Sequence, residues 1–286
     1  MACAMTRNLA ISSIVFAASL LSFPRSLRAQ ANQASPVPTM PPKILNIVRQ
    51  KFIPGKAGSY TETLQRIAAQ YDSQKIPVYW FSAQSLTGPS SMFTLNFFDS
   101  FAEAQAAIDA TGKAVASNPQ LGPMQEQLLT FISSETNALA VRRDDLGYRW
   151  SAIDFSKARV LRVATILVRQ GHEAEFAEAI RGLRAAYAKL DANSAWATYQ
   201  VTAGAPSSTF VIVLPMHSLS EMDDYIPRTE ALPQAEGPGI ADRLQQIARD
   251  AYRSWDSELF VVSPPISHVP DDFAAGDPSF WHSAQH

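Results

Sequence analysis

Three residues at alternating positions, Trp80, Ser82 and Gln84, recur 116 residues later as Trp196, Thr198 and Gln200. On a β-strand such positions share one face, so each set presents an aromatic ring beside two hydrogen-bonding groups. That mixture suits a small-molecule pocket of mixed polarity. It equally suits a repeated fold in which the Trp packs beneath a helix, as buried Trp commonly does, while Ser/Thr and Gln pair with each other or with backbone.

Positions at which the two copies differ supply the next candidates. Asn46 aligns with Arg162, and Asn96, inside the apolar run FTLNFF, aligns with Val213. A buried amide in an apolar strand needs hydrogen-bond partners, so Asn96 is either a ligand contact or an internally satisfied or outward-facing side chain. His217 ends a strand just before a helix cap, and His172 follows Gly171 in a strand–helix turn. An imidazole is a possible axial ligand for a haem iron. Neither His has a second His or a carboxylate at ligand spacing, and Glu173 and Glu175 fit helix N-terminal electrostatics better. The chain carries no zinc-ligand spacing, nucleophile elbow, phosphate loop or dinucleotide fingerprint. The sequence therefore predicts no metal, no cofactor and no catalytic constellation, with haem as the alternative.

The elements that must position these residues are written twice. ILNIVRQKFIPGKAGSY (Ile44 to Tyr60) lies over VLRVATILVRQGHEAEF (Val160 to Phe176). Each begins as a strand of apolar and β-branched residues that a Gly ends. Each continues as a helix whose stripe is Tyr60, Leu64, Ile67 and Tyr71 or Phe176, Ile180, Leu183 and Tyr187, at gaps of four, three and four. A hairpin follows, turning at Gly88-Pro89 or at Gly204 to Ser207. Ser100 to Glu103 and Ser218 to Glu221 then form capping boxes that start the next helix. A third helix carries the stripe Met124, Leu128, Phe131 and Leu139, or Ile240, Leu244, Ile247 and Trp255, and a closing strand such as Glu258 to Pro264 completes the unit.

The predicted organisation is a signal peptide over residues 1–31, a Pro-rich extended lead-in over 32–43, repeats over 44–150 and 151–264, and a tail over 265–286. The tail, without periodicity, is expected to lie over the surface or to be disordered, with Phe280 and Trp281 as an anchor in the first case. Arg7, the apolar run Leu9 to Phe23 and the small residues Ala29 and Ala31 point to a cleavable export signal, with a retained N-terminal anchor as the alternative, since the run is short of the roughly 20 residues of a membrane span. Its removal takes Arg7, Arg25 and Arg28 from the 24 basic residues and leaves 26 acidic ones. The resulting acidic balance argues against nucleic acid or an anionic membrane surface as partner. Cys3, the one cysteine, leaves with the signal, so the exported chain, periplasmic or secreted, would have no disulfide.

Each unit reads β-α-β-β-α-α-β, a ferredoxin-like α+β arrangement whose sheet has one bare apolar face. A second such sheet is the simplest cover. Over residues 43 to 264 this order and its duplication resemble the dimeric α+β barrel superfamily, the fold of the antibiotic-biosynthesis monooxygenases. Here both sheets are on one chain, as in the tandem branch that includes chlorite dismutases. The resemblance implies a pseudo-dimeric barrel and a monomer with an internal pseudo-twofold. It also implies an amide on these strands as an oxygen-orienting group, the role Asn96 would fill. Function is expected to be the binding of a small apolar or aromatic ligand, or a structural role. The alternative is a cofactor-independent monooxygenase-like or haem-dependent enzyme.

Overall fold

A computed structural model describes residues 38–236 and 239–282. The expected signal segment and residues 32–37 of the Pro-rich lead-in lie outside the described residues.

The first half contributes strand β1 (Ile44–Phe52), helix α1 (Ala57–Ser73), the hairpin β2 (Phe81–Ser85) and β3 (Ser91–Phe98), helices α2 (Phe101–Ser117) and α3 (Leu121–Leu129), and strand β4 (Ile132–Arg142). The second repeats the order as β5 (Val160–Val168), α4 (Glu173–Lys189), β6 (Ala197–Ala203), β7 (Thr209–Met216), α5 (Tyr225–Glu236), α6 (Gly239–Ala251) and β8 (Tyr252–Val262). The matching strand–helix turns pass through Gly55 and Gly171 at φ of 77° and 90°, a region open to Gly without penalty. In the first capping box, Ser100 Oγ accepts from Glu103 N at 3.2 Å, and the Glu103 carboxylate reaches back to Asp99 N at 2.8 Å. In the second, Ser218 Oγ accepts from Ser220 N at 3.0 Å and Glu221 from His217 N at 2.7 Å. There the chain forms a 3-10 turn over Leu219–Asp224 before α5 begins.

The third helices are shorter than the sequence predicts. Leu139 lies in β4 and Trp255 in β8, both strands of 11 residues. Phe131 and Leu139 stand eight apart, a spacing that fits two helical turns and a period-two strand alike. The strands also fix a closer correspondence of the copies. Asn46 pairs with Asn96 and Arg162 with Leu214, so Leu214, not Val213, is the counterpart of Asn96.

All strand pairs are antiparallel and close into one barrel in the order β1-β3-β2-β8-β5-β7-β6-β4. The halves join edge to edge, β2 to β8 through Ala83 and Val262, and β4 to β6 through Val141 and Gln200. Each strand has a partner on both sides, through short pairings where the halves meet. Alternate residues fill the interior, among them Leu45, Ile47, Phe93, Leu95, Leu161, Val163, Val211 and Phe260. The opposite faces lie under the helices, and their apolar residues form separate clusters in the two halves.

The C-terminal segment does more than lie over the surface. Helices α7 (Asp271–Ala274) and α8 (Pro278–Trp281) carry Phe273 and Trp281 into the interior cluster, where both are buried. Trp281 Nε1 donates to Ser156 O at 2.8 Å. Gly276 allows the approach, since a Cβ there would stand 2.0 Å from Ser156 Oγ. Asp277 caps α8 and pairs with Arg159, whose guanidinium stacks 3.6 Å from the Phe280 ring centre. The expected anchor residues therefore both act, as part of a plug. The described end of the lead-in joins it: Phe155 N donates to Thr39 O at 2.7 Å, and Tyr199 Oη to Pro42 O at 3.1 Å. The interior also holds an ion pair, Arg49 with Glu258, stacked against Phe260.

Candidate functional site

Trp80, Ser82 and Gln84 project from the outer face of the barrel, not into it. Trp80 is buried edge-on against Tyr71 of α1, ring centres 5.6 Å apart, and its Nε1 donates to Ile266 O at 2.9 Å. Ser82 Oγ shares a hydrogen bond with Thr94 Oγ1 at 2.9 Å, and Gln84 is half-buried. Asn96 accepts from Asn46 Nδ2 at 3.1 Å and donates to Tyr79 O at 2.8 Å, so its amide is satisfied inside the protein. In the second half, Trp196 Nε1 and Thr198 Oγ1 both donate to Leu146 O, at 2.9 and 3.0 Å. Gln200 accepts from Arg143 Nη1 at 2.8 Å and donates to Ser207 O at 3.3 Å. The structure thus separates the seven candidates. Of these, Trp196 alone borders the cavity described next.

Between the outer face of β5, β7 and β8, with Trp196 just before β6, and helices α4, α5 and α6 lies a cavity of about 420 Å³. Ala164, Ile166, Ile212 and Leu214 form its floor, Ile180, Leu183 and Tyr187 one wall, and Leu232, Leu244 and Ala248 another. Trp196 and Trp255 face it from the sheet, and Trp255, 56% exposed, stands at its mouth. Its volume falls within the range of small-molecule pockets, roughly 300–1,000 Å³.

Substitutions between the halves explain why the space is open here. In the first half Gln50 faces Glu135 across β1 and β4, and the equivalent pair in the second is Ile166 and Trp255. Tyr60 Oη donates to Gln50 at 2.7 Å and Gln50 Nε2 to Glu135 at 2.5 Å, a polar chain that ties α1 to the sheet. Phe176, Ile166 and Trp255 replace all three members with apolar groups. The first half is closed further by Leu128 and Phe131, both buried. In the second half Phe176 of α4, the counterpart of Tyr60, has no hydroxyl with which to make such a chain.

One end of the cavity is polar. Arg162 Nη2 donates to Tyr225 Oη at 2.9 Å and its Nε to Ser257 Oγ at 3.1 Å. Its guanidinium lies 4.0 Å from the Tyr225 ring centre. Arg162, Leu214 and Tyr225 also border a smaller recess of about 40 Å³ that Asn193, Ser194, Glu221, Asp224 and Arg228 complete. Burial pushes the phenols of Tyr187 and Tyr252 up from their ordinary value, so at neutral pH both are uncharged hydrogen-bonding groups.

Among the described residues no His, Cys or Met lines the larger cavity, where Tyr187, Tyr225 and Tyr252 are the side chains that could ligate a haem iron. His217 is exposed and engaged with Glu221 at 3.2 Å, and His172 with Glu175 at 2.8 Å. Among the described residues no group of three or more His, Cys, Asp or Glu is placed to hold a metal ion. No helix among them is long and apolar enough to cross a membrane.

The sequence passed over two features. Arg162 was visible as a difference between copies, but only the strand registers show what it faces. His268 lies in the tail and is buried between Trp80 and Tyr79, ring centres 4.8 and 5.2 Å away. Its Nδ1 meets Val78 O and its Nε2 the Asp72 carboxylate, each at 2.8 Å. An isolated His in a segment without periodicity gives no signal of such a contact.

No protein-family model matches the chain, and no curated sequence does. Similar solved structures include a candidate monooxygenase of Fusobacterium nucleatum, 13% identical, with a TM-score of 0.49 over 77% of this chain and 91% of that one. An anthrone oxidase-like protein is 12% identical, with a TM-score of 0.49 over 77% and 92% of the two chains. A variant chlorite dismutase of Candidatus Nitrospira defluvii, in complex with cyanide, is 10% identical, with a TM-score of 0.46 over 79% and 92%. By its own strand order and duplicated units, this chain has the α+β barrel fold with both halves of the barrel supplied by one polypeptide.

Proposed function

We propose that the protein is an exported small-molecule binder that receives an apolar or aromatic ligand in the cavity of its second half and works as a monomer. The cavity carries the reading: about 420 Å³ bounded by aliphatic side chains and two Trp rings. Burying apolar ligand surface there yields roughly 25 cal/mol per Å² before association costs. Among the described residues no Asp, Glu or His borders the larger cavity, so this lining favours binding over proton-transfer chemistry. Export rests on the signal-like N-terminus, and mature protein recovered outside the cytoplasm should begin near Asn32. The monomeric state is supported by closure of the barrel within one chain.

Calorimetric titration with 2-naphthol, neutral at pH 7, tests the binding reading. The expected result is one-site binding to the wild-type protein and at least a tenfold loss in Ala164→Phe, which fills the floor, at unchanged melting temperature. Ala104→Phe on the buried face of α2, in the filled half, controls for general damage. Absence of binding to the wild type, or equal binding to Ala164→Phe, would sink the proposal.

A further inference from the structure

The polar end of the cavity points to the chemistry of the ligand, on the premise that this cavity is the ligand site. Arg162 is half-buried and pairs with no carboxylate among the described residues. Its recorded partners are two neutral hydroxyls and an aromatic face, and Nη1 has no partner among the described residues. A second guanidinium, Arg228, is largely buried in the adjoining recess. Its nearest acid, Asp224, stands 4.0 Å away with an 81% exposed side chain, too distant and too hydrated for a close pair. Glu221, the other acid there, accepts from His217 N and Nδ1.

Withdrawing a cation from water without a counter-charge is costly. Holding Arg162 at the end of an apolar chamber therefore makes sense if a ligand supplies the anion. A planar fork with unused donors matches a carboxylate. The first half has no such device, since Asn46 stands in the equivalent place and bonds to Asn96.

We infer that the second-half cavity takes an aromatic acid, with the ring between Trp196, Ile166 and Ile212 and the carboxylate on Arg162. Tyr225 keeps the guanidinium oriented across the mouth of the recess in the meantime.

Calorimetry with 2-naphthoate and its neutral isostere 2-naphthamide tests this in the full chain. Wild-type protein should bind the acid more tightly by about tenfold or more, the value of a charge-assisted hydrogen bond. Arg162→Met should erase that preference by weakening naphthoate far more than naphthamide, and Arg162→Lys should keep part of it. Equal affinity of the two ligands for the wild type would overturn the acid and leave the cavity standing. Binding of neither would overturn the cavity reading and this inference with it. Equal loss of both ligands in Arg162→Met would make the Arg a structural residue and also overturn the inference.

Discussion

Phe273→Ala removes the central ring of the plug. Phe273 is fully buried, with its ring centre 5.3 Å from Trp281, 6.2 Å from Phe81 and 6.4 Å from Phe97. A Phe-to-Ala change in a core costs about 3–5 kcal/mol, transfer and cavity terms together. The segment is terminal and can settle into part of the space, which favours the lower end, about 3 kcal/mol. For a protein of this size each kcal/mol lowers the melting temperature by about 2–4 °C, so a fall of about 6–12 °C is expected. Near-UV circular dichroism is the assay, because the ring cluster around Trp281 should lose its signal in the same transition. Phe101→Ala is the control: that ring is 54% exposed and its removal should change little. A fall under about 2 °C for Phe273→Ala would mean that the segment does not seal the barrel and that the interior is stable without it.

Two further outcomes follow from the same structure. Burial holds the Glu135 carboxyl above its ordinary 4.5 despite the Gln50 hydrogen bond, and its Oε1 has no partner. The fold thus prefers the protonated acid, so the destabilisation is complete above the raised value, fades as pH falls through it and is gone below 4.5. Glu135→Gln should therefore raise the urea midpoint at pH 7 and not at pH 4, and an equal rise at both would refute this account. Sedimentation velocity should find a monomer at micromolar concentration, and a tight dimer would show that closure within one chain is not the solution arrangement.

Much of the fold was legible because two copies report on one architecture. The Gly55 and Gly171 turns, the helix stripes and the two Ser-to-Glu caps agree at fixed offsets, and agreement across levels specifies a structure. The third helices were overextended because Phe131 and Leu139 satisfy two periods at once. The inward course of the tail was hidden because Phe273 and Trp281 bury themselves through tertiary contacts with Phe81, and no local period announces such contacts. For the site, the shared Trp-x-Ser/Thr-x-Gln face was a feature of how the sheet packs under its helices in both halves. The cavity arises where the copies part: Gln50 and Glu135 give way to Ile166 and Trp255, and Asn46 to Arg162. Reading that needed the strand registers, since the offset of β8 from β4 differs from that of β5 from β1.

The central claim is that one half of the barrel is open under its helices and the other filled. Diffraction from crystals of the full chain under xenon pressure tests it directly, because apolar cavities of this size take up the gas. Xenon density should lie among Ile166, Trp196, Ile212 and Leu244, with none among Val48, Trp80, Thr94 and Leu128. Density in the first half, or none in the second, would contradict the account.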